Sequence, residues 1–220
     1  MVKVSPSILS ADFNKLGSEI KAIADGGGDF IHIDIMDGHF VPNITIGYGV
    51  VKALRNNTEL PFDVHLMISD PDKYIPKFIE AGSDIIAVHP EACTHLHRTI
   101  NFIKENNVTA AVALNPATPL SSIEHAIDDL GMIVIMTVNP GFPAQKFIRG
   151  MLPKIKQTHE MIKERGLDIE IEVDGGINAE IAPEVTQAGA NILVAGNAVF
   201  NGPMPTVAEN IQLIKNAVND

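Results

Sequence analysis

One short stretch of sequence places a histidine and an aspartate two residues apart, the spacing at which side chains of a β-strand point the same way. His32 and Asp34 lie in the run Ile-His-Ile-Asp-Ile-Met, where strand alternation puts both on one face and the isoleucines on the other. A buried charge is costly unless it is paired or bound to a metal. The segment alone leaves two interpretations open: a hydrogen-bonded His–Asp pair, or part of a metal centre.

Two further segments repeat this alternation. His65 shares a predicted strand face with Asp63, and Asp174 shares one with Glu170 and Glu172. A lone histidine of this kind is more often structural than a ligand, so its weight comes from its neighbours. Two histidines and two aspartates converging at strand ends predict a site for one divalent metal ion, with zinc first and iron, manganese or cobalt as alternatives. The four predicted ligands are His32, Asp34, His65 and Asp174.

The elements that would position these residues alternate along the chain, with no low-complexity linker between them. Strands are predicted near residues 4–9, 29–35, 62–67, 84–89, 108–114, 132–138, 169–174 and 191–195. Helical patterns fill the intervals, for example over residues 13–24, 71–81, 95–105, 119–130, 151–165, 180–188 and 204–217. Eight strand–helix units favour an α/β fold with a closed parallel sheet over an open doubly wound sheet. We therefore predict a TIM (β/α)8 barrel, with residues 1–220 as a single domain.

In such a barrel, catalytic residues lie at the carboxyl ends of the strands. Lys3 has inward parity at the opposite end, which predicts that it pairs with one of the inward glutamates near the barrel floor. Three methionines fall near strand tops with inward parity, and they fit either adaptable core filler or an apolar collar that excludes water. The methionines are Met36, Met67 and Met136, and the other polar residues at predicted strand ends are Ser7, His89, Asn115 and Asn139.

Glycine turns follow the sixth, seventh and eighth predicted strands. They contain Gly141, the pair Gly175 and Gly176, and Gly196, after which a short helix can begin. Phosphate sites in barrels commonly use the loops after strands seven and eight together with such a helix start. Backbone N–H groups can hold a phosphate without net positive charge, so these turns predict a phosphate site.

Composition limits the class of partner. The chain carries 16 basic and 27 acidic residues, a formal charge of −11, which argues against nucleic acid or an anionic membrane as a partner. Hydrophobic residues make up 45% of the chain, but no apolar run reaches the roughly 18–20 residues of a membrane span. The single cysteine, Cys93, excludes an internal disulfide. We expect a cytoplasmic protein with a small-molecule substrate.

Taken together, these segments resemble the ribulose-phosphate 3-epimerase family, from about residue 4 to about residue 200. The His-x-Asp-x-Met-Asp-Gly block at 32–38 and the Val-Asn-Pro-Gly-Phe block at 138–142 are specific in combination, and further matches lie at 5–13, 39–43, 63–67, 114–119 and 173–178. The resemblance implies a TIM barrel of the ribulose-phosphate-binding type. It also implies interconversion of D-ribulose 5-phosphate and D-xylulose 5-phosphate, a step of the pentose phosphate pathway, by a homo-oligomer.

By matching positions, the resemblance implies that Asp34 and Asp174 are the acid–base pair and that both also bind the metal with His32 and His65. On this hypothesis one aspartate removes the C3 proton, the other returns a proton to the opposite face, and the cation stabilises the enediolate. The resemblance also implies contacts to the sugar or its phosphate. These contacts are assigned to Ser7, His65, Gly141, Phe142, Pro143, Ala144, Asp174, Gly175, Gly176, Gly196 and Asn197.

Two departures from the family pattern lie near the substrate. The family usually continues Gly-Phe-Gly-Gly-Gln, whereas Pro143 and Ala144 stand here, and Asn197 replaces a usual serine. Proline lacks an N–H donor and alanine disfavours positive φ, so the loop is expected to be stiffer. An alternative function is therefore 3-epimerisation of a six-carbon ketose phosphate such as D-allulose 6-phosphate.

Two more distant functions fit the sequence less well. Related decarboxylase and aldolase-like barrels use Asp-x-Lys, and Met36 stands at that lysine position here. A non-catalytic sugar-phosphate-binding barrel would not need the complete set of two histidines and two aspartates.

Overall fold

The computed structural model describes residues 2–218, in which eight parallel strands form one sheet. The strands are β1 (Lys3–Pro6), β2 (Ile31–Met36), β3 (Phe62–Met67), β4 (Ile85–Val88), β5 (Thr109–Leu114), β6 (Met132–Met136), β7 (Glu170–Asp174) and β8 (Ile192–Ala195). Strand β1 pairs with β8, and β2 to β8 pair in chain order. An isolated parallel bridge between Ser7 and His32 joins β1 to β2 and completes the ring. The predicted TIM barrel is confirmed.

Helices alternate with the strands. They are α1 (Leu16–Asp25), α2 (Tyr48–Leu54), α3 (Ile75–Glu80), α4 (Leu96–Glu105), α5 (Leu152–Arg165), α6 (Ala182–Gln187), α7 (Asn197–Phe200) and α8 (Val207–Ala217). Single 3-10 turns lie at Ile8–Ser10, Phe13–Lys15, Arg55–Asn57, Pro71–Lys73, Pro90–Ala92, Leu120–Ser122, Ile127–Asp129 and Arg149–Met151. Helix α2, which follows Gly47, was not among the predicted helices. None of the described helices is long and apolar enough to cross a membrane.

One predicted helix is wrong. Residues 119–130 form no α-helix but only the two 3-10 turns at Leu120–Ser122 and Ile127–Asp129. The apolar spacing that predicted a helix is still used, because Ile123, Ala126 and Ile127 are buried. The Ser122 hydroxyl donates to the carbonyl of Pro119, and such local bonds compete with helix formation.

The first strand is also shorter than predicted, because it ends at Pro6 instead of residue 9. The backbone then turns into the 3-10 segment Ile8–Ser10, and the Ser7 hydroxyl oxygen accepts the N–H of Leu9 at its start. Ser7 precedes this turn and forms a parallel bridge with His32, and its hydroxyl reaches Asp34.

Strand alternation separates the two sides of the sheet as predicted. Ile31, Ile33 and Ile35 belong to the apolar cluster between sheet and helices, whereas the alternate residues of β2 point into the barrel. At the floor, the Lys3 ammonium group donates to Glu170, which confirms the predicted pairing, and Asn191 donates to the same carboxylate. The barrel interior contains a cluster of aliphatic, alanine and methionine side chains, and beside it the buried charged residues His32, Asp63 and Glu172.

Candidate active site at the carboxyl end of the barrel

The four predicted metal ligands come together at the carboxyl ends of β2, β3 and β7. Asp34 and His65 are register partners on neighbouring strands, and Asp174 is the last residue of β7. One nitrogen of each histidine and one oxygen of each aspartate all lie within 4.8 Å of one another. The side chains of His32, His65 and Asp34 are buried, and that of Asp174 is 15% exposed.

Two ring nitrogens in this cluster are buried and have no hydrogen-bond partner among the described residues: His32 Nε2 and His65 Nδ1. His32 Nε2 lies 3.5 Å from Asp34 Oδ1 and 3.8 Å from Asp174 Oδ2. His65 Nδ1 lies 3.6 and 3.5 Å from the same two oxygens. Buried polar atoms are normally paired, so two unpaired nitrogens aimed at two carboxylates fit a bound divalent cation. The structure thus contains a candidate metal-binding cluster of the predicted residues.

Each histidine is supported from behind by a different group. His32 Nδ1 lies 2.6 Å from Asp63 Oδ2, a fully buried carboxylate on β3. His65 Nε2 lies 2.8 Å from His89 Nε2, just beyond β4. A hydrogen bond on one ring nitrogen fixes which tautomer is present and leaves the other nitrogen free to bind a metal.

The buried charges shift one another's pKa values. Burial alone lowers the pKa of His32 and His65, but neighbouring carboxylates outweigh burial and raise both. These are chiefly Asp63, with Asp34, for His32, and Asp174 with Asp34 for His65. Burial alone raises the pKa of Asp34, but the two histidines outweigh it and hold that pKa below its ordinary value. Burial lowers the pKa of His89, and burial together with the Asp63 carboxylate raises the pKa of Glu172. Asp34 is therefore anionic, as a base or a metal ligand must be.

A cavity opens directly above this cluster. Asp34 and Asp174 form part of its floor, and the predicted collar residues Met36, Met67 and Met136 line its wall. Every residue predicted to contact the substrate lines the cavity except His65, which lies behind the aspartates. Those that do are Ser7, Gly141, Phe142, Pro143, Ala144, Asp174, Gly175, Gly176, Gly196 and Asn197. None of the described lining residues is basic, so an anionic group there has only neutral donors.

The paired glycines after β7 are required by the backbone. Gly175 and Gly176 have φ angles of 123° and 71°, which residues with a side chain rarely adopt. A Cβ at Gly175 would lie 2.4 Å from a methyl carbon of Val138, and one at Gly176 would lie 2.5 Å from the backbone nitrogen of Phe147. The turn is thus packed tightly against the loop that follows β6, residues 137–148, which we call the β6 loop.

The β6 loop forms the outer rim of the cavity and contains the Pro143–Ala144 departure. Ala144 adopts a φ of 58°, the left-handed region that alanine disfavours. The side-chain amide of Gln145 donates to the carbonyls of Asn139 and Phe142, and Asn43 Nδ2 donates to the carbonyl of Gly141. Side-chain hydrogen bonds therefore hold a loop whose backbone is locally strained.

Sequence reasoning missed three polar residues that line the cavity, Ser10, Gln145 and Asn178. Ser10 and Asn178 lie within the matching family blocks, but both follow strand ends in turns, where period-two alternation no longer predicts direction. Asp63 and His89 had no predicted role beyond their polar character on strands, and the structure places each behind a histidine.

Fold and site together define a TIM-barrel enzyme with a polar cluster at its catalytic end. Among solved structures, 3-hexulose-6-phosphate synthase superposes with a TM-score of 0.69 at 17% identity, covering 99% of this chain and 100% of that one. Thiamine phosphate pyrophosphorylase from Pyrococcus furiosus has a TM-score of 0.68 at 17% identity, covering 99% of this chain and 96% of that one. At these identities the likeness shows the fold alone.

Sequence similarity is more specific than the fold and identifies the family. The model of the "Ribulose-phosphate 3 epimerase family" matches residues 3–200. The chain is 63% identical to the ribulose-phosphate 3-epimerase of Bacillus subtilis (strain 168), covering 91% of this chain and 93% of the relative. It is 53% identical to the chloroplastic ribulose-5-phosphate-3-epimerase of Arabidopsis thaliana, covering 96% and 75%. The chain belongs to this epimerase family and is an enzyme of the isomerase class.

Proposed function

We propose that the chain interconverts D-ribulose 5-phosphate and D-xylulose 5-phosphate by metal-dependent epimerisation at C3, through an enediolate. The names of the relatives give ribulose phosphate as the substrate, and the name of the Arabidopsis thaliana relative gives ribulose 5-phosphate. The observation that carries the metal dependence is the pair of buried, unpaired ring nitrogens facing two carboxylates. His32, Asp34, His65 and Asp174 would hold one divalent ion, with zinc the first choice for two imidazoles and two carboxylates.

Asp34 is the proposed base on one face of C3, and Asp174 is the acid on the other. Both line the cavity, and their strands, β2 and β7, are separated around the ring by β1 and β8. The Ser7 hydroxyl donates to Asp34 Oδ2 at 2.6 Å, which fixes the orientation of that carboxylate. Asp34 takes the C3 proton, Asp174 delivers a proton to the opposite face, and the roles exchange in the reverse reaction.

A divalent cation at this site would supply electrostatic stabilisation to the negative charge that develops on the substrate oxygens. The chain's own contribution is to exclude water. Met36 and Met67 pack with Val41 in a buried cluster beside the cavity, and Met136 adds a further apolar wall. A dry cavity strengthens charge interactions and protects the enediolate from stray protonation.

The phosphate is assigned to the glycine turns after β7 and β8. The absence of basic side chains among the described lining residues favours binding by backbone N–H groups of Gly175, Gly176, Gly196 and Asn197. The open φ angles of the paired glycines let backbone approach a ligand closely.

The test is exchange of the C3 proton with deuterated solvent, followed by NMR, on metal-loaded protein. The Asp34→Asn variant should lose exchange by about 10³-fold. Its folding is checked by circular dichroism on metal-free protein, where the loss of a metal ligand does not affect the comparison. Removing metal with a chelator should abolish activity, and adding zinc should restore it. Exchange at the parental rate in Asp34→Asn would refute the assignment of the base.

A six-carbon ketose phosphate is the second candidate substrate, favoured by Pro143 and by the strained Ala144 at the cavity rim. Comparing kcat/KM for D-ribulose 5-phosphate and D-allulose 6-phosphate decides between them. We expect the five-carbon substrate to be preferred.

Three further expectations belong to the proposal: a cytoplasmic location, a single domain spanning residues 1–220, and a homo-oligomer. The free cysteine, Cys93, is in keeping with a reducing compartment. Light scattering coupled to size-exclusion chromatography measures the assembly, and one cooperative unfolding transition would support one domain.

A further inference from the structure

Strand β2 loses its neighbour on one side before it reaches its carboxyl end. Strand β1 ends at Pro6, and the last bridge described between the two strands joins Ser7 to His32. The segment from Asp34 to Met36 extends past that bridge and pairs with β3 on its other side. Both of these residues are buried. Their backbone groups on the open edge need partners, because an unpaired backbone group away from water costs free energy.

A single threonine hydroxyl pairs with this open edge. Thr45 Oγ1 accepts the backbone N–H of Met36 at 3.0 Å and donates to the backbone carbonyl of Asp34 at 2.7 Å. In a parallel sheet, one residue of the neighbouring strand makes both of these bonds with its own backbone N–H and carbonyl. A hydroxyl can take both parts, because it is a donor and an acceptor at once. Thr45 thus continues the sheet beyond the point where β1 has turned away.

A short hairpin after β2 brings Thr45 back to the strand. Asp37 and Ile44 form an antiparallel bridge, and the N–H of Gly38 donates to the carbonyl of Asn43 at 2.8 Å. Gly38 has a φ angle of 74°, and a Cβ there would lie 2.9 Å from a side-chain carbon of Ile44. The hairpin therefore closes tightly enough to hold Thr45 against the strand from which it began.

We propose that Thr45 is a positioning residue, which fixes the backbone of Asp34 so that the carboxylate meets C3 of the substrate. This inference rests on the proposed function of Asp34 as the base. The Ser7 hydroxyl holds the carboxylate itself at 2.6 Å, and Thr45 holds the backbone from which that side chain projects. Thr45 does not line the cavity, so it acts through Asp34. A displacement of about 1 Å in a reacting group can cost about 10²-fold in rate.

Two substitutions separate the hydroxyl from the shape of the side chain. Thr45→Val keeps the branched shape and removes the hydroxyl, whereas Thr45→Ser keeps the hydroxyl. With zinc in excess and D-ribulose 5-phosphate as substrate, kcat of Thr45→Val should fall about 10- to 100-fold. Its KM should change little, because the glycine turns assigned to the phosphate are untouched. Thr45→Ser should retain most of the parental kcat.

Amide hydrogen exchange of Met36, followed by NMR on metal-free protein, reads the same contact without any reaction. The Met36 N–H should exchange about 10-fold faster in Thr45→Val, because its acceptor is lost, and at the parental rate in Thr45→Ser. Thr158→Val is the matched control. It removes a fully buried hydroxyl that donates to the carbonyl of Lys154 at 2.8 Å within α5. It should lower stability but change neither kcat nor the Met36 exchange rate.

Parental kcat in Thr45→Val would overturn the inference, as would equal losses of kcat in Thr45→Val and Thr45→Ser. An unchanged exchange rate of the Met36 amide in Thr45→Val would also overturn it. If the parent shows no epimerase activity with added zinc, the proposed function fails instead. Exchange of the Met36 amide then still decides whether Thr45 holds the end of β2.

Discussion

The carboxylates at the two ends of strand β7 have opposite surroundings. At the floor, Glu170 accepts from the Lys3 ammonium group and from Asn191. At the mouth, Asp174 faces two ring nitrogens, of His32 and His65, that hydrogen-bond to nothing in the described chain. At the floor the chain supplies its own cation, the Lys3 ammonium group, whereas at the mouth the proposed metal ion would take that part. The difference indicates that the floor serves stability and the mouth serves binding and chemistry.

The largest expected effect comes from removing the charge at each end of the strand. Asp174→Asn should lower kcat by about 10³-fold, because the proposed acid is lost and the metal loses a ligand. Glu170→Gln should leave kcat unchanged, because Glu170 lies at the other end of the barrel. A coupled epimerase assay measures both, with circular dichroism as the check on folding. Equal losses of kcat in the two variants would break the comparison.

Stabilisation of the folded chain by a metal ion should depend on the residues at the mouth and not on those at the floor. Zinc at about 100 times its dissociation constant should stabilise the parent by about 2.7 kcal/mol, because it binds only the folded chain. Calorimetry with zinc and with a chelator measures the difference. The His65→Ala variant should lose most of this gain, whereas Lys3→Met at the floor should retain it. A zinc effect that survives in His65→Ala would place the metal elsewhere.

Asp37 tests whether the hydrogen-bond donors around a carboxylate, and not its place at the mouth, decide whether it serves stability or binding. It lies at the mouth, yet it accepts the backbone N–H groups of His39, Phe40 and Ser69 at 2.8, 2.9 and 2.8 Å. Burial raises its pKa, but these three donors together outweigh burial and lower it. We expect Asp37→Asn to leave kcat unchanged, like the floor variants Glu170→Gln and Lys3→Met. It should lower the free energy of unfolding by about 1 kcal/mol at pH 7.

The pH dependence of that loss follows from the lowered pKa. The Asp37 contribution is present above the unfolded pKa of about 3.9 and disappears as pH falls through the lower folded value. The difference in urea midpoint between parent and Asp37→Asn should therefore be constant near neutrality and shrink below about pH 4. A difference that grows in acid would contradict the assignment.

The smallest effect is expected for the floor pair itself. Lys3→Met should lower the free energy of unfolding by less than about 1 kcal/mol, because the Lys3 and Glu170 side chains are 39% and 35% exposed. Urea unfolding measures the loss, and kcat should not change. A loss of several kcal/mol would mean that the floor charge is as tightly coupled to the fold as the mouth.

Period-two alternation predicted what the strands carry. It placed His32, Asp34, His65 and Asp174 on inward faces and paired Lys3 with an inward glutamate, because alternation is a local property of any strand. It could not predict residues 119–130, where local serine bonds replaced a helix that the apolar spacing favoured. The roles assigned to the site residues remain predictions for the experiments above.

Loop conformation was harder to predict. Alanine disfavours positive φ, yet Ala144 adopts 58° because Gln145 and Asn43 hold the surrounding loop from the side. Contacts between residues 98 positions apart, such as Asn43 with Gly141, leave no periodic signal in the sequence. The contact between His65 and His89 was invisible for the same reason, since it joins β3 to the residue that follows β4.

The ring of strands has one weak join. Among the described residues, β1 and β2 are joined by the isolated bridge from Ser7 to His32 and by hydrogen bonds between Val4 and Asp29, just before β2, whereas β1 and β8 share four register pairs. A ligand held jointly by His32 and Asp174 would span that join, since β1 and β8 lie between their strands. Occupancy of the site would then cross-link β2 to β7 across this junction and slow its local opening. Amide hydrogen exchange in β1 and β2 would report how often the barrel opens, and so how often a bound metal ion could leave.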